Sequence, residues 1–400
     1  MALRVQSGLL DDLHRYGAFD IKACFNCGNC TAVCPLSEGD DAFPRRMIRY
    51  AQLGQIDHIA ASKELWLCYY CGECSETCPR EARPGEFVAA ARRLSIARFD
   101  PFGLASRLFT STGFAVTGLV GLFVLLLGFL LSLSNALPSS RVDTATLLRF
   151  VPYEVIHWTG LGVIVALVVM AGVTMVNMLW LLSREPVAAG AAVPPATPRR
   201  FPIGAALWAL KDMVYEVFGH RRYRDCDSEK PAEAGAWPVR RWFVHICIML
   251  GFFGLAAATV LDYLFKTPGS YVPVWYPIRL LGTIAGAALI YGVSVAIVQR
   301  LRKPERAYYE RTVAADWVLL ILLGVIGLTG FVLELAEYVT LAGLWVDVVF
   351  LTHVAVAMEL LLLLPFSKLA HVVYRPVALW FYAFRNRRMG VILPKGEKAA

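Results

Sequence analysis

Two signals are missing from this 400-residue sequence, and each absence excludes a class of function. No G-x-G-x-x-G loop follows a predicted strand, so there is no fingerprint for a bound flavin or nicotinamide dinucleotide. The segment from Met1 to Gly17 has neither an apolar core nor a twin arginine, so we do not expect a secretory signal there. Charged residues are also scarce, at 18% against 57% hydrophobic residues and a mean hydropathy of +0.54, which indicates a membrane protein.

The hydrophobic residues are unevenly spread along the chain. Residues 1–98 are polar and contain no long apolar run, whereas such runs recur from about residue 113 onward. We therefore predict a soluble domain over 1–98 and a transmembrane domain over 99–400. The net charge of +8 could suggest nucleic acid as a partner, but most cations lie in loops beside apolar runs, where the positive-inside rule explains them. Membrane lipid is the expected partner, and nucleic acid is not.

The cysteines carry the strongest motif, because eight of the ten form two copies of the spacing C-x2-C-x2-C-x3-C-P. The first run contains Cys24, Cys27, Cys30 and Cys34, and the second run contains Cys68, Cys71, Cys74 and Cys78. This is the bacterial ferredoxin spacing for cubane iron–sulfur clusters, in which the fourth cysteine ligates the other cluster in two-cluster proteins. We predict one [4Fe-4S] cluster on Cys24, Cys27, Cys30 and Cys78, and another on Cys68, Cys71, Cys74 and Cys34.

Disulfides and zinc are the alternatives to iron–sulfur clusters, and both fit these cysteines less well. Disulfides need an oxidising compartment, and this segment is expected in the cytoplasm. Zinc sites usually take C-x2-C pairs rather than triplets followed by a fourth Cys-Pro. Gly28 and Gly72 lie between cluster ligands, where the backbone must bend close to the cluster. Cys226 and Cys247 lie outside the pattern, and we assign them no role.

The soluble domain is predicted to be helical. Asp41 could cap a helix that has Pro44 in its first turn and ends at Gly54. A second short helix is expected from Ile56 through Leu65. The predicted fold class is therefore all-α: a helical, ferredoxin-like two-cluster domain followed by a bundle of six transmembrane helices.

Six apolar runs are long enough to cross a bilayer, which requires roughly 20 residues each. They cover about 113–133, 152–182, 242–265, 276–298, 313–335 and 344–373. An Ala/Pro-rich linker, Pro186 to Pro198, precedes a shorter amphipathic segment at about 201–218. Its apolar residues at helical spacing are Leu207, Leu210, Val214 and Val217. We predict an interfacial helix on the membrane surface, with an ordinary loop helix as the alternative.

The basic residues give the predicted orientation of the spans. Cations cluster after the second, fourth and sixth spans, whereas the three opposite loops contain only Arg141, Arg149 and Lys266. By the positive-inside rule, both termini are expected in the cytoplasm, and the chain is expected in the cytoplasmic (inner) membrane as a multi-pass protein. The cysteine runs then lie in a reducing compartment, which suits thiolate-ligated clusters.

Four of the seven histidines lie in or at the ends of apolar runs, where an ionisable residue indicates function. They are His157, His245, His353 and His371. If the sixth span is one helix kinked at Pro365, the last two are five turns apart, about 27 Å, and face the same way. That arrangement suits two stacked b haems. Topology would pair His245 with His371 near the cytoplasm and His157 with His353 near the outside. The connector residue His220 is expected on the surface.

The stretches Phe243–Gly254 and His353–His371 resemble the haem b (gamma) subunit of respiratory nitrate reductase. That family binds two b haems and oxidises quinol, so the resemblance implies menaquinone as a partner. The family's third-span pattern has a second histidine ten residues after the first, and Leu255 occupies that position here. His157 would have to supply the missing ligand, so one haem is the alternative to two.

The cysteine-bearing half resembles the C subunit of heterodisulfide reductase. A chain that joins both halves resembles the C subunits of quinone-interacting membrane-bound oxidoreductase (Qmo) complexes. This resemblance implies electron transfer between menaquinone and cytoplasmic flavin- and iron–sulfur-bearing subunits, and onward to adenylylsulfate reductase. The alternatives are a membrane subunit of a heterodisulfide-reductase-type or sulfite-reductase-associated complex, or a non-catalytic anchor whose clusters dock a soluble enzyme.

No motif marks the quinone-binding residues or any other catalytic centre. Glu154, Glu334 and Asp347 near the outer side could accept protons, although acids at span ends are more often simply solvated. Glu359 lies inside the sixth span and is harder to explain as a solvated group.

Overall fold

The computed structural model describes residues 5–37, 42–134, 150–184, 203–220, 223, 236–265, 272–302, 312–339 and 343–388. Within these ranges the chain forms helices and no strand, so the all-α class is confirmed. Asp41, the segment Pro186–Pro198, Cys226 and most of the loop cations used for orientation lie outside the described residues. The chain divides into two compact units, one comprising Met1–Ser106, Ala171–Cys226 and Ala370–Ala400, the other Arg107–Met170 and Asp227–Leu369.

The helices follow in chain order. The N-terminal ones are α1 (Leu9–Arg15), α2 (Asn29–Ala32), α3 (Arg45–Gln52), α4 (Ile56–Ala60), α5 (Glu64–Leu67), α6 (Glu73–Glu76), α7 (Pro84–Phe99) and α8 (Leu104–Thr110). The longer ones are α9 (Thr112–Ser132), α10 (Tyr153–Arg184), α11 (Ile203–Gly219), α12 (Arg241–Phe265), α13 (Pro277–Arg302), α14 (Ala314–Val339), α15 (Leu344–Leu363) and α16 (His371–Arg388). Short 3₁₀ turns cover Ile21–Ala23, Trp237–Val239 and Lys368–Ala370.

The short helices between the cysteine runs differ slightly from the prediction. Helix α3 lies where the first was expected, after Pro44, and the chain turns at Gly54 with φ +70°. A Cβ at this glycine would lie 2.5 Å from the Gln6 carbonyl oxygen, so no other residue fits. The second predicted helix is divided into two helices, α4 and α5. The chain turns at Ala61, and the helical conformation begins again at Glu64.

The first unit has an aromatic core that draws on distant parts of the chain. The Tyr374 ring lies 5.9 Å from Trp66 and 5.5 Å from Phe99, centroid to centroid, and all three side chains are buried. Burial raises the pKa of Tyr374 to about 12, against a hydrogen bond with Thr174 that lowers it. The unit that contains the cysteines therefore includes residues of α10, α11 and α16, which follow residue 98 by many positions.

Six of the long helices are apolar enough to cross a membrane, as predicted. They are α9, α10, α12, α13, α14 and α15. Their lengths run from 20 to 32 residues, which at 1.5 Å per residue meets the roughly 30 Å of a bilayer core. The chain is therefore a multi-pass membrane protein. Helix α11 occupies the predicted interfacial segment, and its Leu207, Leu210 and Val214 side chains are exposed. Its location on a membrane surface stays a prediction.

The sixth span is shorter than predicted, and the expectation of one kinked helix through residue 373 was wrong. Helix α15 ends at Leu363, and α16 begins only at His371. Pro365 explains the break, because it has no N–H to donate and its ring clashes with the carbonyl four residues earlier. Phe366 and Ser367 instead both donate to the Leu363 carbonyl.

An ion cluster in the second unit holds Lys368, which lies within this break. Lys368 Nζ lies 2.6 Å from Asp316 Oδ1, and Arg300 Nη1 lies 3.5 Å from the other carboxylate oxygen. The Asp316 side chain is only 4% exposed, so its two cationic partners are what makes its charge tolerable there. His353 and His371 consequently lie on different helices, and the argument that five turns of one helix align them does not hold.

Helices α12 and α13 approach closely through glycines. A Cβ at Gly251 would lie 2.7 Å from the Leu289 nitrogen and 2.8 Å from the Ala285 carbonyl oxygen. A Cβ at Gly292 would lie 2.9 Å from the Val244 carbonyl oxygen. Small residues serve in this way between membrane helices, because packing rather than water exclusion holds the helices together.

Replacing Gly251 by Ala should therefore destabilise the second unit. The opposing atoms are backbone, so the helices must separate, at a cost of about 1–3 kcal/mol. The free energy of unfolding can be followed by denaturant titration in detergent. Gly121→Ala on α9 is the matched control, because no atom lies within 4 Å of its Cβ position. Equal stability of the two variants would contradict the close packing described above.

Candidate functional site

The two cysteine runs adopt the same local structure. The backbone N–H of Asn26 donates to Cys24 Sγ at 3.5 Å, and the equivalent N–H of Tyr70 donates to Cys68 Sγ at 3.3 Å. Both donors have φ of 60°, an uncommon conformation for residues other than glycine. Backbone N–H groups directed at a sulfur stabilise its thiolate, which is the form that binds iron.

The expected bend at the glycines is confirmed. Gly28 has φ +93° and precedes α2, while Gly72 has φ +87° and precedes α6. Each one-turn helix carries the third cysteine of its run, and the two helices pack against each other. The Asn29 amide nitrogen also donates to the Thr77 carbonyl oxygen, which ties the first run to the residue before Cys78.

The fold brings the fourth cysteine of each run to the other run. The Cys30 thiol interacts electrostatically with Cys24, Cys78 and Cys27. The Cys34 thiol interacts in the same way with Cys68 and Cys71. Cys74 interacts with Cys68, Cys71, Cys34 and Cys30, so the two sets are also neighbours of each other. These neighbours agree with the predicted sets, Cys24, Cys27, Cys30 and Cys78 in one and Cys68, Cys71, Cys74 and Cys34 in the other, and the assignment of each set to a cluster stays a prediction.

The two sets differ in burial. Cys27 in the first set is exposed, and Cys30 is buried, with its pKa raised to about 11 mainly by that burial. In the second set burial raises the pKa of Cys34 to about 12 and raises those of Cys68 and Cys74. All four thiols of the second set are half-buried, whereas those of the first set range from exposed to buried.

These donor sets fit iron–sulfur clusters better than single metal ions. Among the described residues, no three His, Cys, Asp or Glu side chains converge on one point as a mononuclear site requires. A zinc ion with Zn–S bonds of about 2.3 Å would need sulfurs roughly 3.8 Å apart. A cubane holds its cysteines further apart, and its iron offsets the cost of burying several thiolates together.

In both runs the carbonyl group of the first cysteine accepts a side-chain hydrogen bond, but the donor differs between the runs. The Gln52 amide nitrogen donates to the Cys24 carbonyl at 2.8 Å, whereas the Arg92 guanidinium donates to the Cys68 carbonyl at 2.7 Å and to Leu65 at 2.9 Å. Ser75, beside Cys74, donates to Glu86 at 2.6 Å. Burial raises the pKa of Glu86, and the Ser75 hydrogen bond acts to lower it.

The second run also contacts α11 and α16. The Tyr69 hydroxyl donates to Glu216 Oε1 on α11 and accepts from Arg375 Nη2 on α16. The Arg375 guanidinium lies 4.4 Å from the centroid of the Tyr69 ring. Tyr382, further along α16, donates to the Ala61 carbonyl oxygen. Nothing in the sequence indicated these contacts.

His220 is a second residue that sequence reasoning misplaced. It is 2% exposed rather than on the surface, and its backbone adopts φ +47° after the end of α11. Burial lowers the pKa of His220, and the charge of Arg375 adds to that effect. His220 therefore belongs to the polar group formed by Tyr69, Glu216 and Arg375.

His353 has the hydrogen bonding expected of a metal-ligating histidine. Its Nδ1 lies 2.9 Å from Thr329 Oγ1, whose single proton is donated to the Val325 carbonyl at 2.6 Å. If the hydroxyl proton goes to that carbonyl, the hydroxyl accepts from Nδ1–H, and this tautomer leaves Nε2 free to bind a metal. Gly330 makes room for the ring, since a Cβ there would lie 3.2 Å from His353 Cε1.

The other three candidate histidines have different surroundings. The His157 ring stacks between Tyr153, at 5.7 Å, and Tyr263, at 5.5 Å, all measured between ring centroids. This aromatic stack is a structural role that the sequence did not suggest. His245 lies half-buried on α12, and His371 is the first residue of α16.

The acids near the spans are more enclosed than expected. Glu334 accepts from Thr283 at 2.6 Å, and the Arg279 guanidinium lies 3.7 Å from it and 2.6 Å from Glu337. Asp347 and Glu359 are buried, and Glu359 Oε1 has no hydrogen-bond partner among the described residues. Glu154 alone of the four is exposed.

The helices and the paired cysteine runs define a membrane protein with an iron–sulfur domain, which serves electron transfer. A family model described as 4Fe-4S dicluster domain matches residues 20–82. A second model, Citrate utilization protein B, matches residues 109–391, which is more than half of the chain. The chain belongs to the Citrate utilization protein B family.

Two curated proteins illustrate the two parts. The iron–sulfur C subunit of the CoB–CoM heterodisulfide reductase of Methanopyrus kandleri is 40% identical over 75 residues, which is 19% of this chain and 39% of that protein. Citrate utilization protein B of Escherichia coli is 27% identical over 199 residues, 49% of this chain and 50% of that protein. The chain thus spans half or less of either relative. No solved structure matches it significantly.

Proposed function

We propose that this chain is the membrane subunit that carries electrons between the quinone pool and a soluble, flavin-bearing partner. Its two [4Fe-4S] clusters would be held by the two thiol sets described above, with Cys34 and Cys78 as the crossing ligands. Its b haems would be held by His245 with His371 and by His157 with His353. The haems supply one-electron steps between a two-electron quinol and the clusters.

One observation carries this proposal. His371, a candidate haem ligand, begins α16, and Arg375 lies one turn later on the same helix. Arg375 contacts Tyr69, which stands between Cys68 and Cys71. The same helix thus carries a candidate haem ligand and a direct contact to the second cysteine run, which is the arrangement needed for transfer between the two cofactors.

Quinol oxidation also requires a group that accepts protons within the membrane domain. Glu359 is the strongest candidate, because its carboxylate is buried on α15 and one of its oxygens has no hydrogen-bond partner in the described part of the chain. It lies six residues after His353 on the same helix. We propose that Glu359 takes up a proton from the quinol.

Three kinds of partner fit this electron carrier, and the first two imply opposite directions of flow. The resemblance to Qmo subunits favours flow from menaquinol through the clusters to an adenylylsulfate-reducing system. The family name, Citrate utilization protein B, refers to the use of citrate, so a second candidate is a partner acting on a carboxylic acid of that type, from which electrons would flow to quinone. A heterodisulfide-reductase-type complex is a third candidate, suggested by the similarity of residues in the cysteine-bearing part.

A reduction experiment on the purified protein tests the proposal. Addition of a menaquinol analogue should reduce the haems in the optical difference spectrum, and Glu359→Gln should slow that reduction at least tenfold with unchanged haem content. Glu154→Gln is the control, since that acid is exposed. The proposal would be wrong if quinol left the haems oxidised. Purification from native membranes identifies the partner, and its substrate then decides the direction of flow.

A further inference from the structure

Equivalent positions in the two cysteine runs differ in charge. The carbonyl of the first cysteine is held by the neutral Gln52 amide in the first run and by the Arg92 guanidinium in the second. The next residue is Phe25 in the first run, 61% exposed, and Tyr69 in the second, which contacts Arg375. The runs are repeats in backbone geometry, so these side chains are what makes their surroundings different.

The Arg375 guanidinium is fixed by two partners. It lies over the Tyr69 ring and donates to the Tyr69 hydroxyl, and its Nη2 lies 3.8 Å from Glu216 Oε1. Tyr69 in turn donates to the same carboxylate oxygen. The three groups form a closed triangle on the residue that follows Cys68.

Solvent screens this triangle only weakly. The side chains of Arg375 and Glu216 are 16% and 17% exposed, so their charges act over a longer range than surface charges do. Arg92 is a second cation beside this run, since its guanidinium donates to the Cys68 carbonyl oxygen at 2.7 Å. The first run has a different cation beside it, because the Arg45 guanidinium would lie 3.2 Å from a Cβ at Gly28.

We propose that Arg375, held over Tyr69 and opposed by Glu216, sets the reduction potential of the cluster bound by the second cysteine run. The inference rests on the proposed function only in requiring that this cluster forms. A cluster gains one negative charge when it accepts one electron, so a nearby cation stabilises the reduced form and a nearby anion destabilises it. Arg375 therefore raises the potential, Glu216 lowers it, and the second cluster is tuned separately from the first.

The test is a redox titration of both clusters followed by electron paramagnetic resonance. Arg375→Gln should lower the potential of the second cluster so that its ratio of reduced to oxidised form falls about tenfold, which corresponds to about 59 mV for one electron. Glu216→Gln keeps the shape and the acceptor oxygen but loses the charge, so it should shift the same cluster in the opposite direction. Arg375→Lys should restore most of the potential, and the first cluster should not respond.

Shifts of the reduction potential in opposite directions in Arg375→Gln and Glu216→Gln distinguish an electrostatic effect from a structural one. If Arg375 and Glu216 merely hold α16 against the second run, both neutral variants shift the potential in the same direction or leave it unchanged, and the inference is overturned. Arg98→Gln and Asp57→Asn are the matched controls. Each neutralises one partner of an exposed Arg98–Asp57 salt bridge with an N–O distance of 3.3 Å. Absence of both cluster signals in the unmodified protein would instead refute the proposed function, so the two failures can be told apart.

Discussion

Cys34→Ser is expected to abolish the cluster of the second run and to leave that of the first. The Cys34 thiol neighbours Cys68 and Cys71 rather than the rest of its own run, and a cluster deprived of one thiolate ligand is rarely retained. Cys78→Ser should have the complementary effect, because Cys78 neighbours Cys30. Iron should fall from about eight to about four atoms per chain in both variants.

Spectra of matched variants identify which cluster survives. Cys27→Ser and Cys71→Ser serve as references. Cys27 would ligate the first cluster and Cys71 the second cluster, whether or not the fourth cysteines cross. Crossed ligation requires the spectrum of Cys34→Ser to match that of Cys71→Ser, and the spectrum of Cys78→Ser to match that of Cys27→Ser. The reverse matching would mean that each run binds its own cluster. Cys247→Ser, on α12, should retain both clusters.

His371→Ala and His245→Ala are each expected to remove the same haem, leaving about one haem per chain instead of two. An alanine provides no axial ligand, and a haem held by one remaining imidazole is lost or changes its spin state and absorption bands. Haem content and the reduced-minus-oxidised spectrum measure this directly. The two variants should give superimposable spectra, because the proposed pair shares one iron.

The outer haem, proposed to be held by His157 and His353, should respond to a different set of variants. His353→Ala should remove it, because alanine eliminates the proposed axial ligand that Thr329 orients through Nδ1. Loss of all haem in His371→Ala would show that the chain binds one haem, and would remove the His157–His353 pair from the proposal. His14→Ala, exposed on α1, should leave both haems unchanged.

The sequence carried its clearest information in local patterns. A spacing such as C-x2-C-x2-C-x3-C-P constrains one short loop, so Gly28 and Gly72 could be assigned their bends in advance. Runs of about 20 apolar residues must be helical in a bilayer, because every backbone group has to be hydrogen-bonded within its own segment. Prediction of the six membrane-spanning helices succeeded for that reason.

Predictions that depended on continuity over long distances were less successful. The alignment of His353 with His371 assumed one helix, and whether Pro365 kinks a helix or ends it depends on what receives the freed backbone groups. The Lys368–Asp316 ion pair joins residues 52 positions apart, so no local pattern could show that it holds the break. The position of His220 in the connector between spans predicts a surface residue, yet the fold buries it.

The sequence by itself determined the two cysteine runs, the membrane helices and the all-α class, since each follows from spacing or composition within a short segment. Only the tertiary structure decided what surrounds each cysteine run. Phe25 and Tyr69 occupy the same place in their runs, but one is exposed and the other lies under Arg375, about 300 residues away in the chain. Side-chain charges act through space rather than along the chain, so the difference between two identical motifs becomes visible only once the chain has folded.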